Sequence, residues 1–204
     1  MPLVQVTPRG VWGKSGQARW ATAESGLDSP LATDPAPDEV VMRYLAAYGP
    51  ASVMDAQSWS GLTRLREVVA RLRPRLRVFR NEAGRELFDL PDAPRPDPDT
   101  PAPPRFLPEY DTVLLGHADR SRMVSAELRT SLSAAGSSKT VRIVLIDGVV
   151  AGAWAIERSG DAATLVIDPA VRISTADRVA VAEEGARLLG FSAAEATEHD
   201  VRIG

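Results

Sequence analysis

The sequence predicts an α+β protein, and three features of its apolar pattern support that prediction. Apolar residues recur at intervals of three and four between residues 38 and 73, which is the spacing of helices packed on a core. The interval changes to two after Pro74, as in a strand. Residues 141–168 then contain apolar runs separated by the turn dipeptide Asp147-Gly148 and by Ser159-Gly160-Asp161, which indicates a three-stranded antiparallel meander.

Residues 1–37 predict an N-terminal segment that packs on the following unit. Leu3 to Val6 form a short strand candidate. Trp12 and Trp20 are eight positions apart, which is compatible with one face of a helix. The proline-containing stretch SPLATDPAPD predicts a loop at the end of the segment.

Residues 38–90 predict three helices and a hairpin. Asp38 is expected to cap the first helix, and Gly49-Pro50 to end it. Ser52 and Asp55 form a capping-box pattern at the start of the second helix. Thr63 is expected to cap the third helix, which carries Leu62, Leu65, Val68, Val69 and Leu72 and which Pro74 ends.

The period of two after Pro74 predicts a strand with Leu76 and Val78 on one face and Arg75 and Arg77 on the other. Residues 81–84 form a turn, and residues 85–90 form the returning strand. Three helices followed by a hairpin predict a winged helix-turn-helix over residues 38–90, with the third helix as the recognition helix and the hairpin as the wing.

Residues 91–108 contain eight prolines and predict an extended spacer. Residues 109–204 predict a C-terminal α+β module of antiparallel β-meander and helix. Residues 109–140 read as partly helical and partly loop, and Ser174 with Asp177 predicts a capped helix ending near Leu189. Glu195 to Asp200 are expected to form a solvated tail.

Composition excludes several kinds of site. The chain of 204 residues has no cysteine and two histidines, so no disulfide can form and we expect no metal site. Gly13-Lys14-Ser15 lacks the first glycine of a phosphate-binding loop, because Pro8 stands there, and we expect no cofactor. The absence of a secretory leader or long apolar run predicts a cytoplasmic protein without a membrane segment.

His117-Ala118-Asp119 could suggest a general base with an orienting carboxylate. Residues two apart point away from each other on a strand and seldom meet on a helix, so a loop histidine is the favoured interpretation. We therefore predict no catalytic residue in this chain.

Positive charge is concentrated in one stretch of a chain whose net charge is −3. Residues 61–85 contain eight arginines and two glutamates, whereas residues 86–111 contain seven acids and two arginines. Arginines on a recognition helix and wing suit contact with phosphates, which predicts binding to double-stranded DNA. The predicted contact residues on this surface are Thr63, Arg64, Arg66, Arg71, Arg75, Arg77, Arg80 and Arg85.

The segments RGVWGKSGQARWATAESGL, VVMRYLAAYGPASVMDAQSWSGLTRLREVVARLRPRL and GRELFDLPDAPRPDPDTPAPPRFLPEYDTVLLGHADRSRMV resemble a bacterial winged-helix DNA-binding-domain family. That family includes the YcaQ/AlkZ-type DNA glycosylases, which excise alkylated bases and unhook interstrand crosslinks. The resemblance implies that this chain corresponds to the C-terminal part of longer members. The family's catalytic Gln-hydrophobic-Gln or Gln-hydrophobic-Asp motif has no match here, Gln5-Val6-Thr7 being the nearest.

The leading hypothesis from the sequence is thus a DNA-binding relative of these glycosylases without catalysis of its own. One alternative is a glycosylase, or its C-terminal part, acting on alkylated or crosslinked DNA. A second alternative is a protein-interaction module that does not bind DNA, which the acidic balance of the chain permits.

Overall fold

The α+β class is confirmed by a computed structural model, which describes residues 2–9, 16–31, 36–126, 128 and 141–204. Helices and three separate sheets make up this part of the chain. It divides into two compact units, Met1–Pro37 and Asp38–Gly204. None of its helices is long and apolar enough to cross a membrane.

The N-terminal unit is a β-hairpin followed by a short helix. Strands β1 (Leu3–Val6) and β2 (Arg19–Thr22) are antiparallel, and α1 (Ala23–Leu27) follows directly. Gly26 lets α1 lie close to β1, because an added Cβ would stand 2.4 Å from Val4. Trp20 is 61% exposed and lies in strand β2. The expectation that Trp20 lies on one face of a helix is therefore wrong. Trp12 lies outside the described residues.

The second unit begins with three helices, α2 (Pro37–Tyr48), α3 (Val53–Ser60) and α4 (Leu65–Leu72). The capping box of α3 is formed: Ser52 Oγ accepts from the Asp55 amide at 3.2 Å, and Asp55 accepts from the Ser52 amide at 2.8 Å. The helices share one core, which comprises Val41, Tyr44, Leu45, Ala51, Ala56, Leu65, Val68, Val69, Leu72 and Phe88.

The start of α4 differs from the prediction. Helix α4 begins at Leu65, with Arg64 as its N-cap in the left-handed region at φ 61°. Thr63 therefore does not cap it, and Leu62 lies before the helix with 40% of its surface exposed. The Leu65 amide instead donates to Gln57 Oε1 of α3 at 3.1 Å, so a neighbouring helix satisfies this amide.

A hairpin follows α4 after one 3₁₀ turn (Arg73–Arg75). Strands β3 (Arg77–Arg80) and β4 (Glu86–Asp89) are antiparallel, and Arg80 pairs with Glu86 next to the turn. Ala51, in the connection between α2 and α3, forms an antiparallel bridge with Phe88. This bridge fixes the hairpin beside the helices.

The proline-rich segment 91–108 is more than a spacer. Its last part forms β5 (Arg105–Leu107), which pairs with β6 of the C-terminal sheet. Its first part is held by Arg95, which donates to Asp89 Oδ2 at 3.2 Å and to the Leu90 carbonyl, and whose guanidinium lies 5.4 Å from the Phe79 ring centre. Neither the pairing of β5 with β6 nor the contacts of Arg95 could be predicted, because the proline content indicated an extended spacer.

The C-terminal sheet has the order β5-β6-β7-β8-β9. After the short helix α5 (Thr112–Leu115) come β6 (Ile143–Ile146), β7 (Val149–Ser159), β8 (Ala162–Pro169), α6 (Thr175–Ser192) and β9 (Glu198–Ile203). The predicted antiparallel meander describes β6 to β8 only, because β9 joins parallel to β8. The tail expected between Glu195 and Asp200 therefore includes the start of a strand, and α6 runs three residues past Leu189.

Helix α6 packs on this sheet through a close contact. A Cβ at Gly185 would stand 2.7 Å from the Leu165 side chain, so a larger residue here would require Leu165 to shift. Val181 and Leu189 flank it and are fully buried. Residues 109–140 are expected from the sequence to be partly helical and partly loop. Of these, residues 127 and 129–140 lie outside the described residues.

Candidate nucleic-acid interface

All eight predicted contact residues are exposed, and they lie in one continuous part of the second unit. Thr63 and Arg64 precede α4, Arg66 and Arg71 lie on α4, and the other four lie in the 3₁₀ turn and the hairpin. Helix α4 buries Leu65, Val68, Val69 and Leu72, which leaves its arginines on the solvent side.

The two arginines of α4 have different surroundings. Arg71 forms a two-pronged pair with Asp38 at the start of α2; its Nε donates to Asp38 Oδ2 at 2.9 Å, and its Nη2 also contacts Oδ1. The hydrogen bond from Arg71 lowers the pKa of Asp38. Arg71 therefore pairs its charge with a carboxylate. Arg66 has no carboxylate within 4 Å in the described part of the chain.

Arg66 borders a groove of about 450 Å³ between the helices and the hairpin, which we call the arginine groove. Three arginines line it: Arg66 from the first turn of α4, Arg73 from the 3₁₀ turn after α4, and Arg85 from the hairpin. Its other lining residues are Ser52, Val53, Met54, Val69, Ala70, Glu86 and Phe88. The groove thus combines three cations and one carboxylate with an apolar floor.

Arg73 is the residue of this surface that the sequence prediction missed. Its Nη1 and Nη2 each donate to a Glu86 carboxylate oxygen at 2.9 Å, and its guanidinium lies 5.6 Å from the Phe88 ring centre. The hydrogen bond from Arg73 lowers the pKa of Glu86 and raises that of Arg73. Arg80 also approaches Glu86, at 3.6 Å. The strand register pairs Arg80 with Glu86, and the 3₁₀ turn before β3 brings Arg73 to the same carboxylate.

Other arginines of the stretch keep their charge available. Arg77 lies over the ring of Phe79, 5.0 Å from its centre, which orients the guanidinium without neutralising it. Within the described ranges, five arginines of this surface have no carboxylate within 4 Å. They are Arg64, Arg66, Arg75, Arg77 and Arg85.

His117 lies in the core and belongs to a polar network. It is 8% exposed, and its ring packs against those of Tyr44 and Tyr48. Arg122 donates to His117 Nε2 at 3.1 Å; since a guanidinium can only donate, this nitrogen accepts and the imidazole is neutral. Burial, and then the Arg122 charge, lower the pKa of His117.

Asp55 connects the same network to α3. It is buried, its Oδ2 accepts from Ser52, and its Oδ1 accepts from the amides of Ala118 and Asp119 at 2.9 and 3.2 Å. These bonds lower the pKa of Asp55 although burial raises it. A carboxylate with four donors is committed to structure, and it has no free lone pair directed at a substrate.

A second cavity, of about 680 Å³, lies between the hairpin turn and residues 117–122. It is lined by Arg80, Arg85 and Arg122, but also by Asp55, Glu82 and Asp119, so its charges balance. No group of three His, Cys, Asp or Glu side chains suited to a metal ion occurs among the residues that the structure describes.

Comparison with known proteins identifies the class. The chain belongs to the AlkZ-like DNA glycosylase family, whose model matches residues 1–191. The solved structure of the Streptomyces sahachiroi DNA glycosylase AlkZ is similar over 99% of this chain, with 25% identity and a TM-score of 0.75. The chain spans 54% of the length of that protein. Among curated proteins, none matches the sequence.

Proposed function

We propose that residues 38–90 form a winged helix-turn-helix that binds double-stranded DNA, and that the chain has no glycosylase activity of its own. Helix α4 would enter the major groove and the hairpin would contact phosphates. One observation carries the proposal: a surface of a DNA glycosylase family member presents five arginines that no carboxylate neutralises within the described residues.

The order of elements supports this architecture. In the second unit, helices α2, α3 and α4 precede the β3–β4 hairpin, and Ala51 forms a single β-bridge to Phe88 of that hairpin. The charge supports the ligand, because phosphate neutralisation by arginine supplies most of the affinity for DNA of any sequence. Backbone strain at Arg64 lies on this same surface, as is common at binding sites.

The lack of catalysis is inferred from the residues present. The catalytic glutamine motif that the resemblance implies has no counterpart, and Gln5 lies in β1 followed by Val6 and Thr7. The buried acid Asp55 and the buried His117 are occupied by hydrogen bonds to their neighbours. We therefore assign both residues to folding and not to base excision.

The test replaces Arg75 and Arg77 by Ala and measures binding to a duplex by fluorescence anisotropy at several salt concentrations. The double variant should bind more weakly at low salt, and its log–log salt slope should become shallower by about 0.9 for each phosphate that it no longer neutralises. The control, Arg172→Ala with Arg187→Ala, removes the same charge from the C-terminal module. Unchanged affinity of the Arg75/Arg77 variant at low salt would contradict the proposal.

Family membership supports a second candidate, a DNA glycosylase or its C-terminal part. Incubation of the full chain with alkylated or crosslinked duplex DNA, followed by measurement of released base, distinguishes the two. Release above the level of buffer alone would favour the glycosylase. A protein-interaction module remains the third candidate, and the absence of any salt-dependent duplex binding would favour it. A cytoplasmic location stays a prediction.

A further inference from the structure

We propose that the arginine groove receives one unpaired nucleotide of the bound DNA, with the phosphate on Arg66 and Arg85 and the base stacked on the guanidinium plane of Arg73. This inference rests on the proposed DNA binding and goes beyond it, because it gives one part of the surface a ligand that a fully paired duplex does not offer.

The charge of the groove fits a phosphate. Arg66 on α4 and Arg85 on the hairpin both line it, and neither has a carboxylate within 4 Å in the described ranges. Glu86, the acid of the groove, is occupied by the two bonds from Arg73. Two unneutralised guanidinium groups therefore remain for an anion, and guanidinium donors match the geometry of phosphate oxygens.

Arg73 offers a flat surface that is already fixed. Its two bonds to Glu86 hold the guanidinium in one plane, and the Phe88 ring supports it at 5.6 Å. The side chain is nevertheless 48% exposed, so part of it is available to a ligand. Nucleic-acid bases stack on arginine planes as they do on aromatic rings, and a fixed plane loses little entropy on binding.

The remaining surface of the groove fits a base and not a second charge. Val53, Val69 and Ala70 supply apolar walls, and Met54, which is 59% exposed, can adapt its shape to a flat ligand. A volume of about 450 Å³ lies in the range of sites for small ligands and is far too small for a duplex. A nucleotide combines the anion and the flat apolar group that these walls require.

The groove has little means to select among the four bases. Ser52 is the one uncharged polar side chain among its described lining residues, and its hydroxyl is occupied by Asp55 at 2.7 Å. Recognition through stacking and charge tolerates any base. We therefore expect the groove to distinguish unpaired from paired nucleotides, with no preference for one base.

The experiment compares the affinity of the full chain for three DNAs of one sequence: a paired duplex, the same duplex with one bulged nucleotide, and that duplex with an abasic bulge. The bulged duplex should bind at least about fivefold more tightly than the other two. Arg73→Lys keeps the charge opposite Glu86 but removes the plane, so it should reduce the ratio of the affinities for the nucleotide bulge and the abasic bulge to about one.

Arg43→Lys is the matched control, because Arg43 also pairs with a glutamate, Glu39, but lies on α2 away from the groove. It should keep the preference, and thermal melting of both variants should match the parent chain. Equal affinity for all three DNAs would overturn the groove assignment and leave the proposed function intact. Equal affinity for the nucleotide and abasic bulges would also overturn it, by showing recognition of bending. No binding to any of them would overturn both proposals.

Discussion

Single arginines between residues 61 and 85 differ in the charge that they can offer a ligand. Arg71 and Arg73 each share theirs with a carboxylate through two hydrogen bonds, whereas Arg66 and Arg85 do not. Arg77 is oriented by an aromatic ring, which leaves its charge intact. A count of arginines in the sequence therefore overstates the positive charge of this surface, because some of these arginines pair with carboxylates.

Arg64 stores strain that glycine would release. Its φ of 61° costs a side-chain-bearing residue about 1 kcal/mol. We expect Arg64→Gly to be more stable than Arg64→Ala by about that amount in urea unfolding, because both lack the charge but only glycine fits the backbone. Both variants should bind duplex DNA more weakly than the parent chain. Equal stability of the two variants would show that the strain is absent.

His117 should make stability depend on pH. Its pKa lies below the ordinary value of about 6.5 in the folded protein, so the unfolded chain binds the proton more readily. The stabilising contribution of the neutral ring is complete above about pH 6.5 and is lost as the pH falls toward the folded pKa. The melting temperature should therefore decrease from pH 7 to pH 5.5.

His117→Gln should flatten this decrease, because glutamine keeps an acceptor for Arg122 but does not titrate. His199→Gln, which alters an exposed histidine, is the control and should retain the slope. An identical slope in the parent chain and His117→Gln would contradict the assignment to His117.

At the level of elements, α3 and α4 begin in different ways, and this difference can be measured. Ser52 caps α3, so Ser52→Ala should lower the free energy of unfolding by about 1 kcal/mol. Thr63 caps nothing, so Thr63→Ala should change it by less than about 0.5 kcal/mol. Urea unfolding of both variants checks the pair. Equal losses would mean that Thr63 does cap α4.

The helices of residues 38–72 could be predicted because their signals are local. The spacing of apolar residues, the Ser52–Asp55 pattern and Gly49-Pro50 all lie within one helix or at its end. The start of α4 could not be predicted in the same way, because the acceptor for its first amide, Gln57, belongs to another helix. Long-range contacts outweighed the local preference of Thr63 for a cap.

The remaining failures have the same physical origin. Strand β9 has exposed charged residues, which look like a tail until β8 supplies hydrogen-bonding partners. Strand β5 lies among prolines, and the Arg73–Glu86 pair joins the 3₁₀ turn to strand β4, 13 residues further along the chain. The sequence shows that residues 61–85 are rich in arginine, but only the packed structure separates arginines that pair with a carboxylate from those that do not.

For the whole molecule, the separation of charge matters more than its sum. Eight arginines in residues 61–85 stand against a net charge of −3, so the rest of the chain is distinctly acidic. DNA should therefore meet one face and be repelled elsewhere. We expect duplex binding to weaken steeply between about 50 and 200 mM salt, as it does for proteins that contact several phosphates. An affinity that is insensitive to salt would remove electrostatics as its basis.

The bonds of Asp55 have a consequence for the integrity of the chain after cleavage. Asp55 precedes the proline-rich segment, while its partners Ala118 and Asp119 follow it, and Tyr44 likewise donates to the Gly116 carbonyl at 2.7 Å. A protease that cleaves the chain within the exposed residues 96–103 would leave these buried hydrogen bonds intact. The two fragments should thus remain a non-covalent complex during gel filtration, separate in urea, and separate far more readily in the Asp55→Ala variant.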